Sequence, residues 1–462
     1  MSTVELRIAY VGGGSREWAR KLMFDLAQCP DLGGRMALYD IDPISARLNA
    51  ELGNWLQGQP GVVSRWTYEA VAALGEALAG ADFVVLSIQP GTLEMMAEEI
   101  TVAEEYGMFF PVGDTTGAPG LNRGLRSAVI YAGFAEAIAT HCPQAWVVNY
   151  TNPMSLCTRT LVKTVPSLKV FGCCHEVFNA QKMLAGLVSR YWGVSPAPDR
   201  RELQCDVTGI NHFTWIDRCQ YDGRDVLELV KEHIARPGTV RTYTQAEVEG
   251  WKDWFRSADQ VKFALLPRFG MFAAAGDRHL VEFLPGFTRS VEGLFRWGVI
   301  RTPVSYRIER WREAPRKTRD LMEGRVPLDL QPSGEEGVMQ IRALVGLGEL
   351  TSNVNLPNRG QVANLPEGAV VETNARFGRN EVVPLAAGAL PPGLAPLIAR
   401  HCADQEMTID AALRREPELA FQAIYGDPTN FLDVDESWKM FRRLVAVNEE
   451  YLPDWKFSGP LT

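Results

Sequence analysis

The chain has 462 residues, 46% of them hydrophobic and 22% charged, with 56 acidic against 47 basic side chains and a net charge of −9. That length calls for more than one core, and an acidic balance without a basic run excludes a nucleic-acid-binding surface. No stretch approaches the ~18 uninterrupted apolar residues of a membrane span, and Met1 to Ile8 runs into a strand without a basic, apolar leader, so a cytoplasmic protein with neither membrane nor nucleic acid as partner is expected.

Leu6 to Val11 reads as a strand, followed by Gly12-Gly13-Gly14-Ser15 and a helix that places Trp18, Leu22, Met23 and Leu26 at helical spacing. Strand, glycine turn and helix make a phosphate site: Gly12 and Gly14 let the backbone approach a pyrophosphate at the positive helix end. The third glycine of the usual fingerprint is replaced by Glu17. Met36 to Asp42 forms a second strand ending in acid. Asp40 lies somewhat beyond the usual spacing of ~20 residues and can accept hydrogen bonds from a ribose diol, which favours NAD over NADP. Asp82 to Ile88 is apolar throughout, as in a parallel strand buried on both faces. Trp146 to Pro153 repeats the scheme, with Asn149 and Asn152 at the strand end where ligands bind in such sheets. Lys169 to Cys173 delivers Cys174 and His175 to the same edge. Between these strands, Val112 to Gly120 carries Asp114 and is followed by Arg123 and Arg126; either a mobile lid or an ordinary loop fits it.

Cys173, Cys174, His175 and Glu176 in succession are poor core material, and a second histidine, His212, stands in the apolar run Val207–Ile216, which alternates like one strand. A thiolate and an imidazole brought together suit Mn²⁺, Fe²⁺, Co²⁺ or Zn²⁺; inert buried cysteines are the plainer alternative. Eight cysteines in this length, two adjacent, are not a disulfide framework and fit a reducing compartment. Further on, Gly276 to Pro285 sets Asp277, Arg278, His279 and Glu282 among apolar residues. Ser333–Gly348 is helical in pattern, Ser352–Asn358 and Gly368–Asn374 are strands or strand edges, and the tail from Pro396 is mostly helical.

Taken together, Gly12–Ser15, Asn149–Pro153, Cys174–Val177, Gly209–His212 and Gly276–His279 resemble the NAD- and metal-dependent glycosidases of glycoside hydrolase family 4, over nearly the whole chain. Cys-His-Glu-Val with Gly-Asp-Arg-His-Leu and Glu-Phe-Leu-Pro looks most like the bacterial α-galacturonidases. The resemblance implies an α/β fold: a Rossmann-like dinucleotide-binding domain over residues 1–200, then a mixed α+β substrate, metal and oligomerisation domain over 201–462. It implies a homodimer or homotetramer acting on a sugar or uronide, with NAD and Mn²⁺ or another divalent metal. Within it, NAD⁺ takes a hydride from sugar carbon 3, the metal stabilises the enediolate, a base removes the carbon 2 proton, and the leaving group is eliminated. Water adds and the hydride returns.

Matched residue by residue, Cys174 and His212 correspond to metal ligands, Asp114 to the general acid and Asp277 to the base. Gly12, Gly14, Ser15, Asp40 and Asn152 fall to the cofactor. Asn149, Asn152, His175, Arg123 and Arg278 fall to the substrate, with Arg126 and His279 as further candidates for a uronate carboxylate. The same mechanism on an α-glucuronide, α-glucoside or α-galactoside, or a hydroxy-acid dehydrogenase on the same nucleotide fold, are the competing expectations.

Overall fold

The computed structural model describes residues 3–455; Met1 and Ser2 of the expected leaderless start lie outside it. Six parallel strands come first: β1 (Val4–Val11), β2 (Leu32–Tyr39), β3 (Arg65–Ala70), β4 (Phe83–Leu86), β5 (Trp146–Asn149) and β6 (Lys169–Gly172). They lie in the order β3-β2-β1-β4-β5-β6 with helices as crossovers, the doubly wound arrangement of a dinucleotide-binding sheet. The strands read as apolar runs because both faces are covered: all four residues of β4 are buried. The order reverses between β1 and β4, which opens a crevice beyond their carboxyl ends.

The second half begins with a smaller antiparallel sheet made by β7 (Gln204–Ile210), β8 (Phe213–Tyr221), β9 (Arg224–Asp225) and β10 (Phe272–Ala273). The stretch expected as one strand over 207–216 is a hairpin. Ile210 pairs with Phe213, so Asn211 and His212 are its two-residue turn, with His212 at φ +63°. The alternating pattern continues across the turn because both strands bury the same face, against Trp215, Phe213 and Phe283; the last two rings stack at 5.1 Å.

The chain then returns to the first sheet. β11 (Leu350–Pro357) joins β6 antiparallel at Asn355–Gly172, and β12 (Val370–Gly378) and β13 (Glu381–Pro384) continue outward to make nine strands. Phe171 of β6 meets Phe377 of β12 edge-to-face at 5.3 Å. β12 also ties the sheets together, because Asn374 Nδ2 donates to the Cys205 carbonyl of β7 at 2.7 Å. Helices over Ala395–Arg414, Pro417–Gly426 and Val434–Ala446 close the structure and share a core with the long helix Gly117–His141. No helix among the described residues is long and apolar enough to cross a membrane.

Candidate active site

The glycine turn follows β1 directly. Gly12 has φ +90°, and a Cβ there would lie 2.1 Å from the Ser87 carbonyl oxygen at the end of β4. Only glycine fits this approach of two backbones. Asp40, at the end of β2, accepts from Gly14 N–H at 2.8 Å and from Asp42 N–H at 2.8 Å. The acid thus locks the turn. Asn49 Nδ2 holds the turn from below, donating to the carbonyls of Gly13 and Ser15 at 2.7 and 2.8 Å. Gly12, Gly14, Ser15 and Asp40 therefore converge.

Beyond β6, Cys174 Sγ lies 3.3 Å from His212 Nε2. The left-handed turn of the β7–β8 hairpin aims His212 there. Glu372 on β12 steadies the turn, accepting from Asn211 Nδ2 at 3.2 Å and Asn353 Nδ2 at 2.7 Å. The other ring nitrogen of His212 is 3.0 Å from Thr115 Oγ1, and that hydroxyl is 2.7 Å from Asp114 Oδ1. The single hydroxyl proton goes to the carboxylate, so His212 Nδ1 donates to Thr115. This assigns the tautomer whose Nε2 lone pair faces the cysteine, the form a metal needs.

His279 stacks on His212 with ring centroids 3.7 Å apart. One polar atom each of Asp114, His212 and His279 lies within 4.8 Å of the others, and His279 Nδ1 is buried without a partner. Burial, with Glu372 and Glu176 nearby, pushes the Cys174 thiol well above its usual range. Such a thiol ionises only beside a cation. A sulfur and an imidazole in contact, with a carboxylate beside them, fit a borderline divalent metal.

Asp114 is carried by a fixed loop. Val112 and Gly113 N–H donate to Glu282 Oε1 at 2.6 and 2.9 Å. The next residues are anchored from behind, where Thr116 Oγ1 and Gly117 N–H donate to buried Asp427 at 3.4 and 3.3 Å. Between lid and ordinary loop, this packing favours the loop. Burial alone would raise Asp114, but His279, Arg123, His212 and Arg307 outweigh it and hold the carboxyl well below the usual range. Burial lowers both imidazoles, His279 to about 3.

Four expected residues are spoken for elsewhere. Asp277 is fully buried, and its carboxylate accepts from Val261 and Lys262 N–H at 2.9 and 3.2 Å, serving the first turn of helix Gln260–Phe269. Lys262 Nζ lies 3.9 Å from the same carboxylate, so its partners here are the helix start and this ammonium. Asn149 is likewise fully buried; its amide binds Tyr131, Thr151 and Thr158 and shapes the turn after β5. Arg278 is buried with Nε on the Ile300 carbonyl at 3.2 Å and Nη2 on Thr302 Oγ1. Arg126 is paired with Glu99 in the core.

Others do reach the crevice. Asn152 has a buried Oδ1 without a partner. Arg123 donates to the Asn152 carbonyl at 3.1 Å and to Gln89 at 3.2 Å, with Nη1 left over. His175 lies against Trp18, ring centroids 5.5 Å apart, with Nδ1 3.7 Å from Glu335. Glu176 accepts from Gly276 N–H at 2.8 Å and so joins two of the motifs. The reading from sequence missed Thr115, Arg307 and the loop-holding role of Glu282. Glu282 stood inside a quoted motif, whereas nothing local distinguishes Arg307 from the other arginines of its polar helix.

Comparison with known proteins agrees with this architecture. The family 4 glycosyl hydrolase profile matches residues 7–190, and the profile of that family's C-terminal domain matches residues 207–430. The chain belongs to glycosyl hydrolase family 4. Among family 4 relatives, an α-galacturonidase of Thermoanaerobacterium saccharolyticum is 43% identical over 98% of both chains. An α-galacturonidase of Bacillus subtilis is 44% identical over 96% of this chain and 97% of its own. A 6-phospho-α-glucosidase from gut microorganisms, solved in complex with NAD and Mn²⁺, shares the fold at TM-score 0.79 and 20% identity, covering 98% of this chain and 100% of its own.

Proposed function

We propose that this family 4 protein hydrolyses α-galacturonides, using NAD and a divalent metal such as Mn²⁺. The observation that carries the reading is the Cys174–His212 contact, made across two sheets beside Asp114. The substrate class is supported by α-galacturonidases 42–44% identical along nearly the whole chain. Bound NAD would take and return the hydride at sugar carbon 3, and the metal would act as a Lewis acid on the oxygens of carbons 2 and 3.

The residues divide the remaining work. Gly12, Gly14, Ser15 and Asp40 hold the dinucleotide, with Asn152 and Arg123 at its reactive end. Cys174 and His212 hold the metal. Asp114 starts ionised, so it can take the hydroxyl proton released as carbon 3 is oxidised and deliver it to the leaving oxygen. His279, neutral with a free Nδ1, takes the base role expected of Asp277 and removes the proton from carbon 2. His175 lines the sugar's side of the crevice. The enzyme works in the cytoplasm as a dimer or tetramer; all eight cysteines being free supports the compartment.

The test is a panel of aryl α- and β-glycosides and uronides, with and without NAD⁺, Mn²⁺ and a thiol. Cleavage of the α-galacturonide that needs both, without net NADH, is expected. Cleavage confined to neutral hexosides would overturn the uronide assignment, and stoichiometric NADH the glycosidase mechanism. Light scattering on the same preparation reports the oligomeric state.

A further inference from the structure

A uronide brings a carboxylate into the crevice, and a carboxylate there needs a cation not already claimed by the protein. Most of those nearby are claimed. Arg126 is bound to Glu99, and Arg278 to Ile300 and Thr302. Arg16 is bound to Trp311 and Ser45, and Arg301 to Glu104. Arg123 gives Nε to the Asn152 carbonyl and Nη2 to Gln89, and so is held by two neutral partners with only Nη1 unmet.

Arg307 differs. It is half-buried, its Nε is sealed from solvent without a hydrogen-bond partner, and no ion pair joins it to a carboxylate among the described residues. An unmet donor on a buried charge is costly unless a ligand supplies the acceptor. The segment that leads into its helix is tied to the loop that carries Asp114. Arg307 lies in the first turn of helix Val304–Met322, a turn whose positive end also favours an anion. Just before that helix, Thr302 N–H donates to the Pro111 carbonyl at 3.1 Å, in the loop that carries Asp114, while the Thr302 hydroxyl donates to the Trp254 carbonyl at 3.0 Å and meets Arg278. The guanidinium is close enough to act electrostatically on both Asp114 and Arg278. A pyranose held through its oxygens on carbons 2 and 3 at Cys174–His212 carries carbon 6 across the ring, away from that pair.

We propose that Arg307 binds the carbon 6 carboxylate of the substrate and thereby selects uronides over neutral hexosides; this rests on the α-galacturonide reading. The holoenzyme, with NAD⁺ and Mn²⁺, is assayed as wild type, Arg307→Met and Arg307→Lys on 4-nitrophenyl α-galacturonide, its methyl ester and 4-nitrophenyl α-galactoside. The ratio of kcat/KM for uronide over galactoside is expected to fall about 30-fold or more in Arg307→Met, mainly through KM, with part of the loss restored in Arg307→Lys. NAD⁺ binding and thermal melting of each variant confirm folding. Equal losses on all three substrates would mean that Arg307 serves Asp114 instead, and would overturn the proposal, as would an unchanged ratio. A wild-type enzyme that cleaves the galactoside alone would overturn the α-galacturonide reading and this proposal with it.

Discussion

Cys174 and His212 meet at 3.3 Å although one follows the last parallel strand of the first sheet and the other sits in a hairpin turn of the second. The pair exists only when both halves of the chain are folded against each other. Cys174→Ser should abolish Mn²⁺-dependent activity while NAD⁺ binding at the glycine turn persists. Thr115→Val tests the tautomer. Without the hydroxyl that receives His212 Nδ1–H, Mn²⁺ affinity should fall about 10–100-fold, read by metal titration. Unaltered affinity would remove Thr115 from the chain of bonds.

Gly12 makes a second test, at the nucleotide end. A methyl group 2.1 Å from the Ser87 oxygen, at φ +90°, forces the turn away from β4. Gly12→Ala should weaken NAD⁺ binding at least tenfold, measured by fluorescence titration, and should also lower the melting temperature. Retained affinity would mean that the pyrophosphate does not approach this turn.

Asp277 and His279 exchange expected roles, and the variants separate them. Asp277→Ala removes the acceptor for two amides of helix Gln260–Phe269 and should cost on the order of 1–3 kcal/mol of stability, seen in chemical denaturation, with kcat changed only a few-fold. His279→Ala should lower kcat about 10²–10⁴-fold and leave the denaturation midpoint nearly in place. The reverse pattern would restore Asp277 as the base.

Much of the nucleotide half was legible because its signals are local. Continuous apolar runs marked β1, β2 and β4–β6, and glycines and acids marked their carboxyl ends. The second half was harder for a physical reason. His212 turns the chain inside an alternating apolar stretch, so periodicity alone could not separate one strand from a hairpin. Asp277, Arg278 and His279 are consecutive but face a helix end, a carbonyl and the crevice respectively, and only the helix Asp277–Phe283 that carries them decides which faces where. Asn149 looked like a ligand residue because strand-end asparagines often are; Tyr131 and Thr158, which take up its amide, lie on the two helices that precede and follow β5 in the chain and pack against each other.

Glu282 gives a prediction in pH. Burial first, and then Asp114, raise its carboxyl to about 8, against the pull of the Val112 and Gly113 amides and Arg278. In the unfolded chain the same group titrates near ~4.3. Between those values the folded protein keeps a proton that the unfolded chain has released, so raising the pH through this window disfavours folding. Glu282→Gln imitates the protonated form and keeps an acceptor for both amides. Denaturation midpoints between pH 5 and 8.5 should fall less steeply in this variant than in the wild type. Parallel slopes would show that Glu282 carries no such proton.

The return of β11–β13 to the edge of β6 bears on how the chain can be divided or recombined. Cut after the helix that follows β6, the nucleotide-binding half would present β6 as a bare edge and strip Phe171 of its cover by Phe377; such an edge invites pairing with other chains. The first half is therefore expected to aggregate when produced alone. A chimera that grafts the second half of a different relative would have to match the β6–β11 seam as well as the catalytic residues, so new specificities are reached more readily by point changes around the crevice than by exchanging halves.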